Sequence, residues 1–321
     1  MKNKNPPFEI TNEMVALIGK ISEATGRINI LQPHPNPVLR KSNRIRTVHG
    51  SLAIEQNTLS LEQVTAVLDG KRVIAPPRDI TEVKNTFEIY DNMALLDPYS
   101  MNDLLKAHGV MMRGLMDHPG SFRTKPAGVA DQHGSIIHFG TLPQYVPGLV
   151  SDLMVWTEMS DAHPLIKSCV FHYEFELIHP FLDGNGRLGR LWHTLLLSRW
   201  NSVFAWLPIE SIIHDRQNEY YNAINASNNA AESTVFIEFM LSAILEALNE
   251  ADGFEKMTDK ESLRWSKIYG YLQNHDHIMN SHVRELLGVS SATANRILTA
   301  FAEKGLLEKR RIKSHWGYIL K

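Results

Sequence analysis

Apolar residues recur at helical spacing along most of this chain, and that periodicity constrains its fold more than any other feature. Between residues 52 and 68 apolar side chains stand three or four positions apart, and Gly70 follows as a helix stop. The same spacing predicts further helices over residues 80–96, 101–116, 143–160, 164–178, 187–199, 215–226 and 233–250. The sequence therefore predicts a mainly α-helical protein.

Residues 120–141 depart from the helical pattern. They combine glycine and proline with β-branched residues around Gly134-Ser135-Ile136-Ile137-His138. This composition predicts a loop that carries a short β-hairpin. Apart from His179, the histidines of the chain, which include His108, His133 and His138, lack metal-ligand spacing. We interpret them as structural or surface residues, with His138 lining the hairpin.

The overall composition is that of a soluble globular protein. The 321 residues, 43% hydrophobic and 21% charged, predict two or three domains. The N-terminus has no apolar segment of a signal peptide, and no stretch approaches the roughly 20 apolar residues of a membrane span. The single cysteine, Cys169, has apolar neighbours and predicts a buried, inert thiol. We therefore expect a cytoplasmic protein without a membrane partner.

Charge is distributed unevenly along the chain. Residues 261–321 contain ten Lys/Arg and five Asp/Glu, whereas residues 1–260 contain 23 and 30, so a tail of +5 follows a body of −7. Asp252-Gly253 and the polar stretch after it mark a boundary. We predict an N-terminal helical region (1–110), a central core (111–252) and a C-terminal domain (258–321). The basic tail indicates an anionic partner.

The tail has the order of elements of a winged helix-turn-helix. Two helices over 263–272 and 281–287 precede a tight turn at Gly288, and Ser290 or Ser291 caps a third helix that ends at Gly305. Residues 306–320 predict two strands. DNA is one predicted partner, and a protein-docking or dimerisation module is the alternative. The candidate DNA contacts are Ser291, Thr293, Asn295 and Arg296 on the helix and Lys309, Arg310, Arg311 and Lys313 on the hairpin.

Residues 179–190, His-Pro-Phe-Leu-Asp-Gly-Asn-Gly-Arg-Leu-Gly-Arg, carry the chemistry. A glycine-containing loop that leads into a helix exposes backbone N–H groups suited to phosphate. Arg187 and Arg190 lie on one face of that helix and suit a di- or triphosphate. Asp183 suits Mg²⁺ shared with phosphate oxygens, and His179 is the candidate base. Together they predict phosphoryl or nucleotidyl transfer.

The segment matches the Fic-family motif HPFxDGNGRxGR at all ten defined positions, and the resemblance extends over about residues 40–245. It implies a Fic-fold helical bundle with a β-hairpin flap that binds Mg²⁺ and ATP. The implied reaction transfers AMP to a Ser, Thr or Tyr hydroxyl of a target protein, or of the chain itself by auto-AMPylation. In this reaction His179 removes the hydroxyl proton and Asp183 holds the Mg²⁺.

The resemblance also implies roles for other residues. Arg187 meets the β-phosphate, Arg190 meets the γ-phosphate, and Gly186 favours AMP transfer over the kinase chemistry of relatives with Lys there. The full set implied to bind nucleotide is Gly184, Asn185, Gly186, Arg187, Gly189, Arg190, Tyr220 and Tyr221. The flap residues implied to position the target are Ile136, Ile137 and His138.

Residues 51–57, Ser-Leu-Ala-Ile-Glu-Gln-Asn, resemble the family's inhibitory motif [S/T]xxxE[G/N]. Gln56 departs from it, since Gly or Asn is usual at that position. The resemblance implies a bidentate ion pair between Glu55 and Arg190, which removes the partner of the γ-phosphate and repels it. The competing interpretation is an exposed helical glutamate without a partner.

Several alternatives stay open at this point. One is a DNA-binding transcriptional regulator whose Fic body senses nucleotide. Others are an enzyme that uses a different nucleotide donor, or one that catalyses de-AMPylation. The intact base, metal ligand and arginines favour an enzyme, and the resemblance admits a homodimer.

Overall fold

Helices make up most of the structure, a computed structural model that describes residues 5–31, 37–130, 136–255, 259–304, 306–312 and 315–320. Fourteen α-helices and four β-strands lie in these ranges, so the predicted mainly helical fold is confirmed. The chain forms two compact units: Arg44–Glu246 together with the chain up to Glu23, and Ala24–Asn43 together with the chain from Ala247 onward. The division into parts at residues 110 and 252 stays a prediction.

The elements follow one another along the chain with short connections. The helices before the candidate catalytic segment are α1 (Asn12–Leu31), α2 (Pro37–Ile54), α3 (Leu61–Leu68), α4 (Pro77–Asp91), α5 (Met101–Met111), α6 (Val146–Met159) and α7 (Pro164–Ile178). Those after its start are α8 (Asn185–Trp200), α9 (Ile209–Asp215), α10 (Gln217–Ala230), α11 (Thr234–Glu255), α12 (Asp259–Leu272), α13 (Asn280–Leu287) and α14 (Ser291–Glu303). The strands are β1 (Gly128–Ala130), β2 (Ile136–Phe139), β3 (Leu307–Ile312) and β4 (His315–Leu320).

Helices α7 and α8 form the centre of the first unit. Both are buried over most of their circumference, as expected of helices surrounded by other helices. Phe171, Phe175 and Trp192 belong to one apolar core with side chains of α4, α5 and α6. The indole N–H of Trp192 donates to the carbonyl of Pro98 at 2.9 Å, which satisfies its polar atom inside the core. This packing fixes the loop between α7 and α8, which begins the candidate catalytic segment.

The single helix predicted over residues 52–68 is wrong. Helix α2 ends at Ile54, Gln56 adopts the left-handed conformation with φ 65°, and α3 begins only at Leu61. Ser60 starts α3 with a capping box, in which its hydroxyl and the Gln63 side chain each bond the other's backbone N–H. Helices α1 and α9 and most of α2 were not predicted, although Met14, Leu17, Ile21, Ala24 and Ile28 of α1 are buried at helical spacing.

The predicted hairpin is present between α5 and α6. Strands β1 and β2 pair antiparallel, with Gly128 opposite Phe139 and Val129 opposite His138. The flap residues Ile136, Ile137 and His138 thus lie on β2, whereas His133, Gly134 and Ser135 lie outside the described residues. Among the helices of the described ranges, none has the length and apolar character to cross a membrane.

The second unit contains α12, α13 and α14, followed by the antiparallel pair β3–β4. Trp265 and Phe301 meet edge to face in its core at 5.2 Å between ring centroids. Ser290 is the N-cap of α14, and its hydroxyl accepts the N–H of Thr293. A further bridge pairs Ile278 with Tyr318 of β4. The predicted helices and strands of the tail are confirmed, while Gly305 and Lys313 lie outside the described residues.

Candidate active site

A cavity of about 260 Å³ lies where the end of α2, the end of α7, the start of α8 and one face of α10 meet. Its lining includes predicted site residues from each of these elements: Glu55, His179, Asp183, Gly184, Asn185, Gly186, Arg190, Tyr220 and Tyr221. The long-range packing of the first unit therefore brings together residues that the chain separates by more than 160 positions.

His179 lies at the C-cap of α7 in the left-handed conformation, with φ 52° and ψ 63°. This conformation is strained for a residue with a Cβ. The buried side chain of Arg123 secures it: Nε donates to the carbonyl of His179 at 2.6 Å, and Nη2 donates to Ile178 at 3.3 Å and to Thr141. One guanidinium therefore connects the loop that follows the hairpin to the end of α7, and it fixes the direction of the candidate base.

The loop after His179 is held from both sides. The Asn185 side chain accepts the N–H of Phe181 and donates to its carbonyl, each at 2.9 Å. The ring of His108 stacks on Phe181 at 3.7 Å and meets the carbonyl of Asp183 at 3.0 Å. Since His108 Nδ1 accepts the N–H of Gly120, its Nε2 carries the proton. Burial lowers the pKa of His108 to about 4 and keeps it neutral, so its predicted structural role is supported.

The start of α8 points unpaired backbone donors at the cavity. Gly184, its N-cap, has φ 87°, and a Cβ there would lie 2.8 Å from the sulfur of Met112. The first backbone bond of the helix runs from Leu188 N–H to Gly184. The N–H groups of Asn185 and Gly186 thus have no partner within the helix and line the cavity. With the positive end of the helix dipole they form a site suited to phosphate.

Asp183 lies at the edge of the cavity and takes part in an ion-pair network. Its oxygens contact Arg187 at 2.9 Å and Arg78 at 2.8 Å, and Arg187 also contacts Glu82 at 3.2 Å. Burial alone would raise the pKa of Asp183, but Arg187, the N–H of Gly184 and Arg78 together lower it. The carboxylate is therefore ionised at neutral pH and retains the charge that a hard cation requires.

Arg190 is almost completely buried, and its guanidinium contacts the end of α2. Nη2 donates to Glu55 Oε1 at 2.7 Å and to the carbonyl of Ser51 at 2.9 Å, while Nε donates to the Ser51 hydroxyl at 3.3 Å. The predicted Glu55–Arg190 pair is thus present, but it is made by one nitrogen and one oxygen rather than by the predicted bidentate arrangement. The competing interpretation of Glu55 as a glutamate without a partner is therefore wrong, although the residue is exposed.

The residues around the pair explain two features of the sequence. Gln56 is left-handed at φ 65°, a conformation that Gly or Asn adopts with little strain. A Cβ at Gly186 would overlap Glu55 Oε1 and lie 3.0 Å from Arg190 Nη1. Gly186 therefore leaves the space in which Glu55 reaches Arg190.

Comparison with known proteins identifies the family to which this chain belongs. The profile of the Fic/DOC family matches residues 98–197. The crystal structure of a Fic family protein from Desulfovibrio desulfuricans G20 is 40% identical, with a TM-score of 0.76, and the match covers 99% of this chain and 98% of that one. The chain belongs to the Fic family.

Curated relatives of this Fic protein carry the name of an activity. The protein adenylyltransferase fic-1 of Caenorhabditis elegans is 30% identical over 193 residues, which are 56% of this chain and 36% of the relative. The protein adenylyltransferase Fic of Nematostella vectensis is 25% identical over 240 residues, 70% of this chain and 53% of the relative. The chain thus spans between about a third and about half of the length of these relatives.

Two of the motif residues that are predicted to bind nucleotide do not line the cavity. Arg187 is directed at Asp183 and Glu82 instead of joining Arg190 at the cavity wall. Gly189 faces α7, where a Cβ would lie 3.1 Å from Glu176 Oε1. In the structure, the absence of a side chain at Gly189 allows α7 and α8 to approach each other closely. The nucleotide-binding roles of both residues stay predictions.

The tyrosine pair reaches the cavity from α10. Tyr220 is buried, and its hydroxyl lies 3.1 Å from Nε2 of His172. The hydroxyl of Tyr221 donates to the carbonyl of Ile54 at 3.4 Å, beside Glu55. Both rings therefore line the same cavity as the motif, as their predicted position near a nucleotide base requires.

Sequence reasoning missed three residues that shape this Fic site. Arg123 and Glu82 act through contacts with residues far away in the chain, so neither carries a local signal. Glu176 stands between Tyr173 and His179 on the cavity face of α7. The sequence did contain a signal for Glu176: it stands three residues from both Tyr173 and His179, a spacing that places all three on one face of a helix.

Proposed function

We propose that this Fic family protein is an adenylyltransferase that transfers AMP from ATP to a hydroxyl group of a protein, and that Glu55 restrains it. The observation that carries the proposal is one cavity lined by the candidate base His179, by the unpaired N–H groups of α8 and by Arg190. The adenylyltransferase names of the curated relatives support the same activity.

In the proposed reaction the α-phosphate of ATP lies between His179 and the start of α8. The imidazole of His179 accepts the proton of a Ser, Thr or Tyr hydroxyl, and the hydroxyl oxygen attacks the α-phosphorus. The bond from that phosphorus to the bridging oxygen breaks, and pyrophosphate leaves. The backbone N–H groups of Asn185 and Gly186 stabilise the negative charge that develops on the phosphate oxygens.

Asp183 is the proposed magnesium ligand. No cluster of three metal-binding side chains occurs in the described ranges, but nucleotide-bound Mg²⁺ typically takes only one or two carboxylates along with phosphate oxygens and water. One ionised carboxylate beside a phosphate site fits that donor set. When bound, the ion neutralises charge on the phosphates.

The restraint follows from the contacts of Arg190. Glu55 and Ser51 already occupy its guanidinium, so a γ-phosphate would have to replace them. The Glu55 carboxylate would also repel the phosphate chain. A hydrogen bond between charged groups contributes about 1.5–3 kcal/mol, which corresponds to roughly 10–150-fold in affinity. Release of Glu55 should therefore raise ATP affinity by about tenfold or more.

Incubation with α-³²P-labelled ATP and Mg²⁺, followed by a denaturing gel, tests the proposal. The full chain is compared with Glu55→Gly, His179→Ala and the double variant, each alone and with added cell lysate. We expect weak labelling of wild type and at least about tenfold more with Glu55→Gly. Loss of the general base, which contributes about 10²–10⁴-fold, should abolish the label.

The outcomes separate the open alternatives. Absence of label in every form, with ATP still bound, would refute AMP transfer from ATP. Label from α-³²P GTP or UTP would then indicate another donor. Loss of AMP from a labelled target in the presence of wild type, but not of Glu55→Gly, would indicate a de-AMPylating enzyme.

A second function is proposed for the second unit, namely binding of duplex DNA by a winged helix-turn-helix. Arg296 lies on the exposed face of α14, and Lys309 and Arg311 are exposed on β3. The ammonium of Lys309 lies 5.1 Å from the ring centre of Trp316, which is 61% exposed. Exposed cations on a helix and an adjoining hairpin suit phosphates on either side of a groove.

A further inference from the structure

Glu176 lines the nucleotide cavity, and the proposed reaction gives it no role. It stands three residues from both Tyr173 and His179, and all three line the same wall. The side chain is half-buried. Its Oε1 is excluded from solvent and has no hydrogen-bond partner among the residues that the structure describes. This oxygen faces Gly189 of α8, where burial without a partner disfavours a charged carboxylate, and the cavity that Glu176 lines leaves the rest of the carboxyl group open to a ligand contact.

The surroundings of Glu176 do not supply that contact. The guanidinium of Arg190 directs its hydrogen bonds to Ser51 and Glu55. The hydroxyl of Tyr220 is paired with His172, and that of Tyr221 with Ile54.

The protonation state of Glu176 follows from these surroundings. Burial and the neighbouring Glu55 carboxylate raise its pKa, Arg190 opposes both effects, and the pKa that results is about 8. From α10, Tyr220 and Tyr221 face the same group, and burial raises the pKa of each phenol, so both are neutral. The carboxyl of Glu176 thus holds its proton at neutral pH and is a hydrogen-bond donor.

We propose that Glu176 binds the nucleotide as a neutral acid, donating its O–H to an acceptor oxygen of the nucleoside triphosphate in this cavity. A neutral donor tolerates an adjacent phosphate chain, whereas a carboxylate such as Glu55 repels it. Two carboxyl groups therefore lie near one arginine with opposite effects: the ionised one excludes the ligand and the protonated one binds it. The inference rests on the proposed function only in that the cavity binds a nucleotide.

Calorimetric titration with ATP and Mg²⁺ between pH 7 and 9 tests the assignment. The full chain carries Glu55→Gly, which frees Arg190, and His179→Ala, which prevents turnover. If only the protonated form of Glu176 binds, the dissociation constant should rise by at least about tenfold from pH 7 to pH 9, because removal of the Glu55 carboxylate lowers the pKa of Glu176. At pH 9 each nucleotide should also carry close to one proton into the complex, measured as a dependence of the binding heat on the buffer.

Glu176→Gln supplies the comparison, because its amide donates a hydrogen bond without titrating. In the same background its affinity should stay within about twofold between pH 7 and 9, with no proton uptake. Glu174→Gln is the matched control: it lies two positions away on α7, burial raises its pKa to about 7, and it lies outside this cavity. It should retain the pH response of the parent.

The inference alone would be overturned if the ATP affinity of Glu176→Gln still changed with pH, or if the parent took up no proton on binding. Failure of ATP to bind at pH 7 would overturn both the inference and the proposed function. Binding with the expected pH response but without AMP transfer in the active chain would overturn only the proposed function. Titration with tripolyphosphate in place of ATP distinguishes the acceptor oxygen. The same pH response would assign the acceptor to the phosphate chain, and a response with ATP alone would assign it to the nucleoside.

Discussion

Gly186 determines how closely Glu55 approaches Arg190. A Cβ at this position would overlap Glu55 Oε1, which is the end of a flexible side chain and can move away. The backbone N–H of residue 186, which faces the phosphate site, is unchanged by alanine. The added methyl would nevertheless lie where a γ-phosphate oxygen has to take the place of Glu55 Oε1 beside Arg190, so it hinders both groups.

Gly186→Ala is accordingly expected to weaken the contact between Glu55 and Arg190 without raising ATP affinity. In the Glu55→Gly background, where the carboxylate is gone, the same change should lower ATP affinity by about tenfold, since it weakens one charged hydrogen bond between Arg190 and the phosphate. Calorimetry on the two single variants and the double variant measures both effects. An affinity that Gly186→Ala leaves unchanged in the Glu55→Gly background would show that the methyl does not obstruct the γ-phosphate.

Glu176 also makes stability depend on pH. Its pKa is raised from 4.5 to about 8, so the folded state binds more protons than the unfolded state within that range. The stability contributed by this group is fully present below about pH 4.5 and is lost as pH rises through about 8. Each unit of pKa shift corresponds to roughly 1.4 kcal/mol.

Glu176→Gln cannot ionise, so its free energy of unfolding should exceed that of wild type by an amount that grows from pH 5 to pH 8. The gain should reach several kcal/mol, as the linkage relation gives for a shift of this size. Urea titrations at pH 5, 6, 7 and 8 measure it. A difference that stays constant with pH would mean that Glu176 titrates normally, and the neutral-acid argument would then lose its basis.

At the residue scale, the sequence predicted the part of the site whose residues lie close together in the chain. The twelve-residue motif grouped the candidate base with the glycine-containing loop, and in the structure both line one cavity. The Glu55–Arg190 pair spans 135 positions and was predicted only through resemblance to a known motif. Arg123 and Glu82 could not be found in this way, since each acts through atoms that only the folded chain brings near.

At the scale of elements, α4 supports the site through a buried ion pair. Its Glu82 contacts Arg187 at 3.2 Å, and the two side chains are 9% and 3% exposed. Glu82 also accepts a hydrogen bond from Asn57, two residues after Glu55. Helix α4 therefore connects the turn after α2 to Arg187 on α8.

Glu82→Ala should destabilise the protein by about 3–5 kcal/mol, because it leaves the buried Arg187 short of a partner. Glu88→Ala on the same helix is the control: its ion pair with Arg113 is 44% and 57% exposed, so we expect a loss of at most about 1 kcal/mol. Thermal or urea unfolding of both variants measures the contrast. Similar losses would mean that burial of the Glu82 pair contributes nothing.

Element boundaries show where sequence reasoning stops. The apolar spacing over residues 52–68 runs through a break that the structure places after Ile54. Ser60 and Gln63 form a capping box there, and the serine and glutamine three residues apart are a local signal for a helix start. The left-handed Gln56 had no such signal, because a glutamine rarely adopts that conformation.

At the scale of the whole molecule, the two compact units carry different surfaces. The second unit presents exposed cations on α14 and β3. Two of its predicted DNA contacts are held by a neighbour, since the amide of Asn280 donates to the carbonyl of Ser291 and to the side chain of Asn295. We propose that phosphates meet Arg296 together with Lys309 and Arg311, which share one face of β3, whereas Arg310 lies on the other face, 3.7 Å from Glu308.

Replacing these three cations by alanine should weaken binding to a fluorescent DNA duplex and should leave ATP binding unchanged. Each lost phosphate contact lowers the dependence of log K on log salt by about 0.9, so the slope should fall by up to about three. A variant with three exposed cations of the first unit replaced, Lys71→Ala, Arg72→Ala and Lys125→Ala, should keep the slope. Anisotropy titrations at several salt concentrations measure both. An unchanged slope in the first variant, or equal losses in the two, would refute this DNA surface and favour a protein-docking role for the second unit.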